Sequence, residues 1–193
     1  MLINTHMILA NSFLEEANSK KIYLINKNRF LWGNLKPDCA SKYKFKKHYY
    51  DESIEMVLEK IKYLADFSTS DILLDYGKKK FSEELGVVCH FLCDYFCLPH
   101  YQRWEFKNSM KKHVTYEKNL SRVAKKYKPA YYIDNNLEIM NIESFILTNL
   151  ERYKLNEGYK NDLDYAYYIC NSVMEVILNQ VMKNEYIKER KVV

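Results

Sequence analysis

Four glycines and three prolines in 193 residues leave this chain few places to turn. Between them, apolar residues recur every three or four positions, the spacing of one helix face. The pattern predicts helices over residues 5–17, 20–32, 52–67, 82–98, 108–126, 141–155 and 160–186, with a short one over 71–76. Leu9, Phe13 and Ala17 share a face of the first. Ile54, Val57, Leu58, Ile61 and Leu64 face inward on the third. Leu163, Ala166, Ile169, Cys170, Val173, Met174, Ile177 and Val181 form a seam along the last, which reads as scaffold. Gly33 and Pro37 mark residues 33–39 as a loop presenting Asp38, and Asp51 is placed to cap the third helix. The expectation is an all-α fold of about seven helices around a metal cleft, one domain over residues 1–193.

The chain is mildly basic, with a net charge of +5, and its lysines look scattered, which permits contact with phosphate or anionic lipid without demanding it. Cys39, Cys89, Cys93, Cys97 and Cys170 are odd in number. Three of them lie four apart on one helix, where disulfide geometry is rarely met, so they read as small buried residues in a reducing compartment. Residues 1–17 lack a basic start, and Glu15 and Glu16 break the apolar run, so no signal peptide is expected. No apolar run approaches a membrane span, and the expected location is the cytoplasm.

The chemistry gathers in residues 86–117. His90 and Asp94 are four apart, as are His113 and Glu117. Residues four apart on a helix stack on one face, so each pair offers an imidazole and a carboxylate to one metal ion. Zinc accepts that ligand set. His100 follows Pro99, where the first helix should stop, and can turn back towards the same space. A single such pair is more often a surface salt bridge; two, with a histidine between them, are harder to dismiss. Three of the five histidines lie here, and the others, His6 and His48, sit near helix starts. The apolar spacing of residues 82–98 buries that helix, and a buried carboxylate must be paired or bind a metal.

Taken in order, His6, the GNLKPD segment ending at Asp38, His48, His90 with Asp94, His100, and His113 with Glu117 resemble the motif of the bacterial zinc-dependent phospholipases C. Their all-α fold is shared with fungal single-strand-specific nucleases. The resemblance implies two or three zinc ions per chain. Asp38, His48, His90 and Asp94 would hold one, and His100, His113 and Glu117 a second. Asp94 would bridge to a third, bound also by His6 and the chain's first residue, Met1, in place of the family's N-terminal tryptophan. Asp38 would be ligand, general base or both. The implied reaction is attack of zinc-activated hydroxide on phosphorus of a phospholipid, releasing diacylglycerol and a phosphorylated headgroup. No C-terminal membrane-binding β domain is expected.

Two other functions share these residues. One is a nuclease or other phosphoesterase, for which Tyr49, Tyr50, Tyr95, Tyr101 and Trp104 could form a stacking platform. The other is a non-catalytic, zinc-stabilised helical binding domain. The expected partner is a phospholipid or other phosphodiester substrate, with room for peripheral membrane contact and no stable nucleic-acid partner.

Overall fold

The computed structural model describes residues 1–16, 21–39, 48–104, 106–129 and 133–190. Ala17, the basic run 42–47, residues 130–132 and the last three residues lie outside them. Among the described residues there are nine α-helices and no strand. They are α1 (Ile3–Glu16), α2 (Lys27–Cys39), α3 (Tyr50–Ala65), α4 (Thr69–Leu73), α5 (Asp75–Tyr95), α6 (Leu98–Tyr101), α7 (Phe106–Ala124), α8 (Ile142–Tyr153) and α9 (Tyr159–Arg190). Two 3-10 turns, Ile22–Leu24 and Ile139–Asn141, precede α2 and α8. No described helix is long and apolar enough to cross a membrane.

The core forms around α5. Residues 85–99 are buried without interruption, so the second half of this helix is enclosed on every side. It packs against α2, α3, α4, α1 and α9. The apolar seam of α9 is buried over its whole length, as its spacing predicts. On α3, Ile54, Val57, Ile61 and Leu64 are buried and Leu58 partly so. Leu9 and Phe13 bury the inner side of α1.

The loop expected at residues 33–39 is instead the second half of α2. Gly33 does not stop the helix; it lets two helices touch. A Cβ there would lie 2.1 Å from the Glu83 carbonyl oxygen, and one at Gly86 of α5 would lie 2.3 Å from that of Phe30. Only glycine fits where backbones approach this closely. Asn26 starts α2 by accepting the Arg29 N–H at 3.1 Å. Pro37 falls in the last turn, where its missing N–H costs one hydrogen bond. Asp38 is therefore carried by a helix end. Similarly, Pro99 opens the one-turn α6, because its fixed φ suits a first turn. Asp51 does not cap α3: the cap position is Tyr49, and Asp51 pairs with Arg103.

Candidate metal centre

The contact of α2 with α5 sets the first ligand-type side chain. His90 is fully buried, and its Nδ1–H donates to the Asn34 carbonyl at 2.8 Å. That bond fixes the tautomer, so Nε2 turns a lone pair towards the interior. There it meets His48 Nδ1 at 3.2 Å and two carboxylate oxygens, Asp94 Oδ2 at 3.3 Å and Asp38 Oδ1 at 3.7 Å. Asp38 Oδ1 lies 3.8 Å from His48 Nδ1. The His6 ring stacks on that of His90 with centroids 4.0 Å apart.

Asp94, in the last turn of α5, is the hub. It is fully buried, and imidazole nitrogens of His48 (2.7 Å), His90 (3.3 Å), His6 (3.3 Å) and His100 (3.7 Å) surround its two oxygens. The Met1 amine ion-pairs with Oδ1. Burial works against the Asp94 charge, yet His100, the amine, His6 and His90 hold its pKa well below the ordinary value. Burial lowers the pKa of His6 as well, to about 3, aided by His90, so its ring is neutral at physiological pH. Neither ring nitrogen of His6 has a hydrogen-bond partner. A buried neutral imidazole without a partner, beside a charged carboxylate, is a costly arrangement in a protein core. Nitrogen and oxygen lone pairs converging on one space are what a zinc ion requires, and these residues fit it.

A second cluster forms where α6 meets α7. Glu117 is buried, and its Oε1 lies 3.1 Å from His113 Nε2 and 3.2 Å from His100 Nε2. His113 Nδ1–H donates to the Trp104 carbonyl at 3.4 Å, which again turns Nε2 inward. Burial opposes the Glu117 charge, but the Met1 amine and hydrogen bonds from His100 and His113 hold its pKa far below the usual range. Its hydrogen bond to His113 raises the pKa of that imidazole, while burial lowers that of His100. The Met1 amine reaches into this cluster too, 2.9 Å from His100 Nε2 and 3.2 Å from Glu117 Oε1. Burial opposes its charge, but Asp94 and Glu117 outweigh burial and hold its pKa well above 8. The amine thus occupies the anionic space between the two clusters.

Beside the buried side chains the protein opens. Asp38 is exposed at the rim. A cleft of about 290 Å³ runs from His48 and His100 past Tyr49, Tyr50 and Tyr101 to Leu147. Of the aromatic residues expected to form a platform, Tyr95 is buried, its hydroxyl 2.8 Å from Ser53 Oγ. Trp104 lines a separate groove on α7, where the Lys112 ammonium sits 3.9 Å from its ring centre.

Comparison with protein families bears directly on this geometry: the zinc-dependent phospholipase C family model matches residues 5–183. The chain belongs to that family. No curated protein and no solved structure matches it. Membership in the zinc-dependent phospholipase C family brings zinc and phospholipase-type hydrolysis with it as the frame for the site. The match extends through α8 and into α9, well beyond the ordered histidines and carboxylates of residues 6–117.

Several residues that build this candidate site were not legible beforehand. The Asn34 and Trp104 carbonyls act through their backbone, which no side-chain pattern reports. Cys97, expected to be an inert core residue, lies with His100 and Glu117 so that their potential ligand atoms are all within 4.8 Å of one another. Its pKa is raised well above the ordinary value, chiefly by burial, which keeps it a thiol. Asp162 is a buried tie that the reading of α9 as scaffold did not single out. Fully buried, it accepts from Tyr153 Oη at 2.7 Å, Tyr116 Oη at 3.0 Å and the Leu98 N–H at 3.3 Å. It thereby ties α9 to the start of α6, which carries His100, and to the neighbour of Glu117. A buried aspartate one position before the Leu163 seam was the available signal.

Proposed function

We propose that this member of the family is a phospholipase C-type phosphodiester hydrolase. In this reading Asp38, His48, His90 and Asp94 hold one zinc, and His100, His113 and Glu117 a second. Asp94, His6 and the Met1 amine and carbonyl would hold a third. The observation that carries the reading is the Asp94 hub, a buried carboxylate ringed by four imidazoles, one of them with both nitrogens unpartnered. Zinc, when bound, acts as a Lewis acid towards phosphoryl oxygens and lowers the pKa of water from 15.7 towards ~7.

The chain's own residues supply the rest. The Asn34 and Trp104 carbonyls orient two imidazoles so that Nε2 faces inward. Asp38, at the rim and within 3.8 Å of His48, is placed to accept the proton of the attacking water as phosphorus is approached in line. Tyr49, Tyr50 and Tyr101 wall the cleft against which the substrate lies. As the water oxygen bonds to phosphorus, the bond from phosphorus to the glycerol oxygen breaks and that oxygen takes up a proton, giving diacylglycerol and a phosphorylated headgroup. The Met1 amine, now paired with Asp94 and Glu117, must release its proton to serve as a ligand, so metal uptake at this position releases acid.

One observation favours a second reading: the cleft wall is aromatic, as a single-strand nuclease requires. A non-catalytic zinc domain fits less well, since structural zinc sites are closed and Asp38 stands at an open rim. The deciding experiment offers phosphatidylcholine and single-stranded DNA to one zinc-loaded sample. Release of phosphorylated headgroup from the lipid alone is expected; cleavage of DNA alone would transfer the site to the nuclease reading.

A further inference from the structure

The positive charge of this chain is not scattered. Residues 106–128, which form α7 and its exit, hold seven lysines and Arg122 against one acid, Glu117, for a net +7. The chain carries +5, so everything else sums to −2. The one acid is buried in the metal centre and neutralises nothing outside. The helix divides accordingly: His113, Glu117, Leu120 and Ala124 face inward, while Lys111, Thr115, Lys118, Arg122 and Lys125 form an exposed stripe at helical spacing. Lys126 and Lys128 extend it, and Lys160 of α9, paired with Asp164 at 2.5 Å, borders the same shallow groove. Among the described residues, Lys111, Lys118, Lys125, Lys126 and Lys128 make no ion pair, and Arg122 bonds only to Asn119. Side chains repelling one another along one helix face lower stability unless something anionic covers them.

We propose that this outer face of α7 docks on an anionic phospholipid surface, an inference that rests on the phospholipase reading of the site. Charge complementarity selects an anionic partner, and two features select a bilayer. First, the helix that offers cations outward offers His113 and Glu117 inward, so a surface lying on it comes within about one helix diameter, ~10–12 Å, of the metal centre. Secondly, the aromatic rings near the stripe are already engaged. Lys112 covers Trp104, Tyr116 packs on Tyr159 with centroids 4.6 Å apart, and Tyr127 donates its hydroxyl to Asp164 at 2.6 Å. A single-stranded nucleic acid needs open rings between its cations, whereas a lipid surface needs only the cations and apolar contacts such as exposed Val123 and Met110.

The test measures binding of the zinc-loaded chain to sedimentable vesicles in short incubations, with phosphatidylcholine alone or mixed with phosphatidylserine. Binding should need phosphatidylserine and weaken with salt. Each of Lys118→Gln, Arg122→Gln, Lys125→Gln and Lys126→Gln should weaken it roughly fivefold, and all four together roughly several hundredfold. Converting four exposed lysines elsewhere, Lys27, Lys62, Lys154 and Lys183, to Gln should change it by no more than roughly severalfold. Equal losses in the two quadruple variants would reduce the effect to net charge and overturn the proposal. So would indifference to phosphatidylserine, or tighter binding to a single-stranded polynucleotide than to the mixed vesicles. The readout needs no turnover. A chain that binds these vesicles but cleaves no lipid keeps the docking face and loses the phospholipase reading. One that cleaves dispersed short-chain lipid without binding vesicles does the reverse.

Discussion

Two buried aspartates, on the two longest helices, meet opposite surroundings. Asp162 of α9 is ringed by donors: two tyrosine hydroxyls and a backbone N–H. Asp94 of α5 is ringed by imidazole nitrogens and the Met1 amine, and one of these groups, His90 Nε2, is turned in as a lone pair by a bond on its far side. A carboxylate whose oxygens are satisfied by protein donors is part of the framework. One that shares its space with lone pairs needs a cation from outside the side-chain inventory. Burial alone does not separate the two cases; the direction of the surrounding hydrogen bonds does.

The largest effect that would sharpen this contrast comes from Asp94→Asn. Even the groups behind a metal ligand are worth 10–100-fold in metal affinity, so loss of the hub should weaken zinc binding by more than about 100-fold. Metal analysis after dialysis should find depleted zinc and a phosphatidylcholine assay almost no product. Full zinc in this variant would make Asp94 as structural as Asp162.

A smaller effect is expected from one glycine added before Met1. It converts the amine between Asp94 and Glu117 into an amide that can neither carry charge nor bind metal. One zinc fewer per chain should follow, with turnover lowered roughly tenfold. If zinc content and rate are unchanged, the amine has no place among the ligands.

The smallest effect, on stability alone, is predicted for Asp162→Asn. Burial raises the Asp162 pKa from 3.8 to about 6. Between those values the folded chain keeps a proton that the unfolded chain has released. This contribution is therefore greatest below the unfolded pKa and is lost as pH rises through the folded one. The span is worth about 3 kcal/mol. Denaturant melts at about pH 4 and about pH 7 should show the variant gaining most of that relative to the parent, with zinc content retained in both. Zinc loss in Asp162→Asn would erase the distinction between the two aspartates.

The sequence by itself determined that the chain folds into helices, because helical periodicity and scarce turn residues are local properties. The seams of α3 and α9 lie where their spacing puts them. It also put His113 beside Glu117 and His90 beside Asp94, since positions four apart share a face whatever the helix packs against. The charge on α7 was countable as well, although net charge for the whole chain concealed it. Tertiary structure decided what lies between helices. Gly33 reads as a stop in isolation; facing Gly86 it becomes the contact that holds α2 on α5, and the expected loop becomes helix. That contact brings the Asn34 carbonyl to His90 and so chooses which imidazole nitrogen faces the centre. The approach of Met1, His6, His48 and His100 to Asp94, and the three donors around Asp162, likewise join residues far apart in the chain. Spacing along one helix carries no record of such partners, because they are set by which backbones can come close enough to touch.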